Sequence, residues 1–201
     1  ITEGLVGSEM CIRDSKMGEK KEIILGINIP EIRGNFRKLC KAIGQKNITE
    51  FSYRLDKTKE AKILVGLELA QGPKAKSAFI KSMKNKKYRV SDYSDDEISK
   101  VHLRYMSGGR GPELPKDKIE EVFKVDFPER PGALAQFLDL LRDRWNISLF
   151  HYKNQGSIYG GALVGFSIYK NELEKLNKDL LKTEYPFLRV TENAGYQDFL
   201  K

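Results

Sequence analysis

Apolar and polar residues alternate along EIILGINI (22–29), placing Ile23, Leu25, Ile27 and Ile29 on one face. That is the period of a half-buried strand. Phe123, Val125 and Phe127 repeat the pattern, with Lys124 and Asp126 opposite. A glycine-marked turn follows each strand, at Gly34 and Gly132, and the spacing then becomes helical. Phe36, Leu39, Cys40 and Ile43 form one apolar stripe; Ala133, Leu134, Phe137, Leu138 and Leu141 form the other. Two further strands come next in each case: NITEFSY (47–53) and AKILVGLEL (61–69), then NISLFHY (146–152) and GALVGFSI (161–168). Amphipathic stretches carrying Ala75, Ala78, Phe79 and Met83, or Leu173, Leu176 and Leu180, lead to closing strands at YRVSDY (88–93) and FLRVTE (187–192). The predicted order is βαββαβ, twice, in the α+β class.

The two halves are copies. INIPEIRG (27–34) matches VDFPERPG (125–132) at an offset of 98, with Pro30/Pro128, Glu31/Glu129 and Gly34/Gly132 identical. From NITEFSY onward the offset is 99, as if the helix-to-strand loop of the second copy had gained a residue. Units of about eighty residues are too long for a solenoid repeat. Each is large enough for a small domain that gains by packing on its twin. The expected division is a first unit at 22–105, a Gly- and Pro-rich linker at 106–118, and a second unit at 119–201. Residues 1–21 are set apart as tail and lead-in: ITEGLVGSEMCIRDSK has no usable period and looks like translated sequencing-adaptor read-through.

Composition narrows the class. With 40% hydrophobic and 32% charged residues, and no apolar run near the ~20 residues that span a bilayer, a soluble globular protein is expected. Of two cysteines, Cys40 sits on a helix stripe and reads as a buried thiol, which fits a reducing compartment. His102 and His151 are the only histidines, so no metal site is expected. The net charge of +8 and the βαββαβ order raise RNA as a partner. An RNA-recognition motif, however, needs aromatic rings on its central strands. YGGALVGF (159–166) offers Gly161 and Leu163 there, and the first copy offers Ile63 and Val65. The lysines at 74, 76, 81, 84, 86 and 87 read as a solvated face. No glycine-rich phosphate loop opens a helix, and no Ser or Cys is tied to a His by spacing. His151 reads as a partly buried strand histidine. The pattern is that of a sensor.

Each copy carries Pro-Glu-x-x-Gly directly before a helix. Gly34, Asn35 and Gly132 thus stand where backbone N–H groups could meet a carboxylate, although glycine in a tight turn needs no ligand. Phe51 and Tyr53 share one strand face, as do Phe150 and Tyr152, and either pair could wall an apolar pocket with one hydroxyl. A small amino acid would suit such a site.

IPEIRGNF, ITEFSYR, VGLEL, YRVSDYSDDE, HLRYMSGGR, FPERPGAL, WNISLFHYKNQG and YGGALVGF run through almost all of residues 22–201. This stretch resembles the C-terminal regulatory region of biosynthetic threonine dehydratase (threonine ammonia-lyase). The resemblance implies tandem ferredoxin-like, ACT-like subdomains, with antiparallel sheets and helices on one face. It implies a parent enzyme that deaminates threonine to 2-oxobutanoate and ammonia with pyridoxal phosphate held in a separate catalytic domain. Isoleucine would be the feedback inhibitor and valine the opposing effector. The same resemblance implies a homo-oligomer (a tetramer in the family) in the cytoplasm, or in the plastid stroma of a photosynthetic eukaryote. It leaves this chain without catalytic residues, cofactor or metal. Tyr53 and Tyr152 match aromatic positions implicated in effector binding, and Arg104 matches one linked to feedback sensitivity. Lys153 departs from the Arg common after the second Tyr, replacing a planar fork by a point charge. Differences such as Arg33/Pro131, Glu50/Leu149 and Ser52/His151 predict two unequal surfaces. The alternatives are a stand-alone amino-acid-binding module of the same fold and, more weakly supported, an RNA-binding module.

Overall fold

In the computed structural model, which describes residues 22–55, 60–69, 72–99, 110–111, 113–154 and 159–201, the alternating segments join one antiparallel sheet. The first half contains β1 (Glu22–Pro30), α1 (Asn35–Ile43), β2 (Asn47–Arg54), β3 (Glu60–Glu68), α2 (Gly72–Asn85) and β4 (Arg89–Asp92). The second contains β5 (Lys118–Pro128), α3 (Ala133–Leu141), β6 (Asn146–Lys153), β7 (Tyr159–Tyr169), α4 (Leu173–Leu181), β8 (Phe187–Arg189) and a short α5 (Ala194–Phe199). The strand order is β4-β1-β3-β2-β6-β7-β5-β8. The repeated NI(T/S)xFxY strand is the seam: β2 pairs antiparallel with β6, setting Phe51 opposite Tyr152, Ser52 opposite His151 and Tyr53 opposite Phe150.

Odd-numbered residues of β1, β2 and β3 and their partners across the seam face α1 to α4. One buried cluster takes in Leu25, Ile27, Val65 and Leu39 from the first half and Phe123, Val164, Phe137 and Leu176 from the second. Five rings lock it at the seam. Phe36 of α1 lies 5.2 Å from Phe51, 5.2 Å from Tyr53 and 5.4 Å from Phe150, while Phe127 lies 6.1 Å from Phe150. These are favourable edge and tilted contacts between aromatic quadrupoles. Cys40 is buried as expected, and burial pushes its thiol pKa far up.

The glycine repeated within β3 and β7, the strands beside the seam, has a structural role. β2 slips register between Ile48 and Glu50, and β6 between Ile147 and Leu149, so Thr49 and Ser148 are equivalent bulge residues. Gly66 and Gly165 stand opposite the bulges. The Thr49 hydroxyl donates to Glu22, and the Ser148 hydroxyl to Glu120, which occupies the equivalent place in β5. A methyl group on Gly165 would lie 2.8 Å from Leu149 Cβ and 3.1 Å from Ser148 Oγ, with no flexible side-chain end to give way. Gly165→Ala is therefore expected to cost ~1–3 kcal/mol by overpacking, read from the urea midpoint.

The outer face of the sheet is covered in part by α5, which extends the expected arrangement. Tyr196 packs with Val122 and Leu149, and burial together with the Glu120 carboxylate raises its phenol pKa. Beneath it Arg54 grips Glu120 with two bonds, Nη1–Oε1 at 2.6 Å and Nη2–Oε2 at 2.9 Å, and its Nη2 also donates to the carbonyl of Leu200 at 2.6 Å. This pair ties β2 of the first half to β5 and the C-terminus of the second.

Several local expectations are corrected. β8 ends at Arg189 and does not run to Glu192: Thr191 Oγ1 takes the N–H of Val122 at 2.9 Å, substituting a side chain for the ladder. β4 is likewise confined to Arg89–Asp92. His151 alternates onto the outer face opposite Ser52, where partial burial lowers its pKa. Ile63 and Val65 lie under the helices. The outer-face equivalents of Gly161 and Leu163 are Lys62 and Leu64, and none of the four carries a ring. Among the described residues, no helix is long and apolar enough to cross a membrane, and no group of three metal-ligating side chains occurs.

Candidate functional site

At each end of the seam, the turn after the first strand of one half meets the helix-to-strand loop of the other. Two clefts result, related by the duplication. Gly34 and Gly132 hold these turns at φ of 88° and 82°, in the left-handed region where a side chain would be strained. Asn35 Nδ2 donates to the carbonyl of Pro30 at 3.1 Å and braces the first turn.

The first cleft, A, spans about 400 Å3 to its open mouth. Ile29, Glu31, Gly34, Arg37 and Tyr53 come from the first half; Leu138, Asp143, Trp145 and Ile147 come from the second. The Tyr53 hydroxyl donates to Glu31 Oε1 at 2.7 Å and lies 3.2 Å from the carbonyl of Ile147. Burial and the Glu31 charge together drive its phenol pKa well up, so Tyr53 is a fixed donor at any ordinary pH. Arg37 bonds Asp143 at 2.6 Å and Asp139 at 3.3 Å, and Lys41 joins Asp139 at 2.8 Å. These pairs bridge α1 to α3. Arg37 Nε is buried and has no hydrogen-bond partner among the described residues. An orphan donor of this kind calls for an explanation.

The second cleft, B, measures about 390 Å3 to its mouth and is lined by Phe127, Arg130, Gly132, Leu134, Phe150 and Tyr152 of the second half with Lys46, Asn47 and Ile48 of the first. The Tyr152 pKa is pushed up to about 12 by burial and by Glu129.

Of the residues singled out in the sequence, Gly34 and Tyr53 meet in cleft A, while Gly132, Phe150 and Tyr152 meet in cleft B. Phe51 lines neither; it is fully buried in the seam core between Phe36 and Phe150. Asn35 acts on the turn and is absent from both linings. Arg104 lies outside the described residues. Lys153 ends β6 opposite Glu50. Arg37, Asp143, Lys46 and Arg130 were not singled out, since nothing in the periodicity says that each cleft borrows a wall from the other copy.

A family model described as the C-terminal regulatory domain of threonine dehydratase matches residues 13–103 and 113–200. The chain belongs to this family. Among curated relatives, this regulatory domain is 39% identical over 187 residues to the biosynthetic L-threonine dehydratase of Burkholderia multivorans, covering 92% of the chain and 36% of that protein. It is 39% identical over 193 residues to that of Escherichia coli, covering 96% and 36%, and 34% identical over 193 residues to the mitochondrial threonine dehydratase of Saccharomyces cerevisiae, covering 92% and 33%. The regulatory domain thus spans about a third of the length of the relatives it matches. Among solved structures, the small subunit of acetolactate synthase from Thermotoga maritima aligns with a TM-score of 0.30 and 14% identity, over 84% of this chain and 92% of that one.

Proposed function

We propose that this regulatory domain senses isoleucine at cleft A, with valine as a competing ligand, on behalf of a threonine dehydratase whose catalytic domain holds pyridoxal phosphate. One observation carries the reading. Cleft A is lined by the Glu31 carboxylate, steadied by Tyr53, by Arg37, whose buried Nε has no partner among the described residues, and by the apolar Ile29, Leu138 and Ile147. An amino acid needs both poles. Its ammonium would pair with Glu31, its carboxylate with Arg37 and the N–H groups of the Gly34 turn, and its side chain would lie on Ile29, Leu138 and Ile147.

Only about 30 Å3 of either cleft is enclosed, which is room for one or two waters. Isoleucine therefore enters by parting the rim, and its carboxylate draws Arg37 from Asp139 and Asp143. That loosens the bridge between α1 and α3, supplying two states with different affinity for the ligand, as allostery requires. The same reading assigns pyridoxal phosphate to the catalytic domain of the parent. Assembly into a homo-oligomer with that domain is part of this proposal.

Thermal unfolding tests it. Isoleucine at about 100 times its Kd is expected to raise the melting temperature by ~5–10 °C, since a ligand bound only by the folded state stabilises it by ~2.7 kcal/mol. Valine lacks one methylene, worth ~0.8 kcal/mol, and should bind several-fold more weakly. Glu31→Gln keeps an acceptor for Tyr53 but removes the charge, and should abolish the shift. A response to lysine equal to that for isoleucine, or an unchanged response in Glu31→Gln, would refute the assignment.

A further inference from the structure

Arg142, Asp143 and Trp145 wall cleft A from the second half, and the loop that carries them is strained. Arg142, at the end of α3, has φ 55° and ψ −151°. Its counterpart in the first copy, 98 residues earlier, is Gly44, at φ 74° and ψ −153°. Glycine adopts that region freely, whereas arginine persists there only when its surroundings hold it. Two holds are present. On one side Asp143 bonds Arg37 of the first half at 2.6 Å. On the other, Asp179 of α4 receives Arg144 through both carboxylate oxygens, at 3.2 and 2.9 Å, and the Trp145 indole N–H at 3.2 Å. Lys175 stands over the Trp145 ring at 5.8 Å, and Lys182 joins Asp179 at 3.1 Å. The Asp179 side chain is only 7% exposed. The first copy lacks this fastening: Lys46 stands for Trp145 and Ser82 for Asp179, beside an open groove. Ser82 and Asp179 are equivalent because Lys87 and Glu184, also 97 residues apart, share a positive φ.

We propose that residues 142–145 form the gate of cleft A and that Asp179 is its latch, a positioning residue that acts through Arg144 and Trp145. The enclosed part of the cleft, about 30 Å3, is too small for isoleucine, so the ligand needs a state in which this wall has moved. Strain at Arg142 favours that movement, and Asp179 opposes it. Affinity is then set by the fraction of molecules unlatched, because a binding-competent state that is rarely populated lowers the apparent affinity in proportion. Weakening the latch tightens binding. Relieving the strain steadies the latched state and weakens binding. Asp179 does not line the cleft, so it acts on the ligand only through the loop. The effect on affinity rests on the amino-acid reading of cleft A; the gate itself does not.

Two measurements on the 201-residue chain test gate and affinity separately: hydrogen exchange of the Trp145 indole proton by NMR, and calorimetric titration with isoleucine. Trp145 is the one tryptophan, so its indole signal is unambiguous. In Asp179→Asn, which keeps an acceptor but removes the charge, indole exchange should quicken ~10-fold while core amides of β1 and β5 hold. Isoleucine affinity should rise several-fold in the same variant. Arg142→Gly should do the reverse, slowing indole exchange and weakening isoleucine. If Asp179→Asn unfolds, Arg144→Gln removes one hold at a side chain 44% exposed and should shift both readouts as Asp179→Asn would, by less. Indole exchange that Arg142→Gly and the latch variant both leave unchanged overturns the gate. So does isoleucine binding that weakens when the latch is loosened, as it would if Asp179 only supported the wall. If indole exchange responds as stated while isoleucine binds neither parent nor variants, the gate stands and the amino-acid reading of cleft A fails.

Discussion

Arg54→Ala is expected to destabilise the chain by ~3–5 kcal/mol, the cost of leaving one partner of a buried ion pair behind. The side chains of Arg54 and Glu120 are only 4% and 10% exposed. Removing the guanidinium leaves the Glu120 carboxylate with the Ser148 and Tyr196 hydroxyls alone, and strips the carbonyl of Leu200 of its side-chain donor. The pair itself need not stabilise, since desolvation offsets much of the attraction. Arg54→Met combined with Glu120→Gln should therefore recover most of the loss, and a double-mutant cycle measures the coupling. Urea denaturation reads both. A loss under 1 kcal/mol in Arg54→Ala would mean that water reaches this pair and that α5 does not seal it.

Phe150→Ala is expected to cost a further, independent ~3–5 kcal/mol through transfer and cavity terms. Its ring is 1% exposed and touches Phe36 and Phe51 of the first half and Phe127 of the second. Against a total stability of ~5–15 kcal/mol, that brings the chain close to unfolding. The same variant tests the unity of the fold. Trp145, the one tryptophan, reports on the second half and its contact with the first at cleft A, whereas far-UV circular dichroism reports on the secondary structure of both. If the seam makes one cooperative unit, the two probes fall together at a lower midpoint. Separate transitions would mean that the halves fold alone and dock afterwards. Phe199→Ala, at a ring 74% exposed, should leave the midpoint nearly unchanged.

Much of this architecture was legible because alternation and helical spacing record which face is buried. Ile23 to Ile29, Phe123 to Phe127 and both helix stripes went where their periods put them. Even the extra loop residue is present: three residues separate α1 from β2, and four separate α3 from β6. What pattern cannot express is pairing between copies. NITEFSY and NISLFHY were visible as twins, but twin strands could equally have lain in separate sheets. The Arg54–Glu120 pair was hidden for a related reason, since a charged residue at an outward position reads as solvated until something covers it. Phe51 illustrates the opposite limit. Its strand face was read correctly, yet whether that face borders a cleft or the centre of the core depends on Phe36 and Phe150 arriving from elsewhere. The difference between the clefts was written in Ile32/Arg130 and Arg37/Ala135, but it gains meaning only once Lys46 and Trp145 are seen to cross the seam.

The register that sets Ser52 against His151 puts the axis relating the halves between those two residues. On separate chains, this strand would meet its own copy about that axis and make an isologous dimer. Every change in such an ancestor would appear on both sides at once, and its two clefts would stay identical. Joining the copies in one polypeptide holds the second strand near the first at an effective concentration of order millimolar, so pairing no longer depends on protein concentration. It also frees each side to mutate alone. A change from Ile to Arg in one turn can then alter the lining of one cleft while the other is kept.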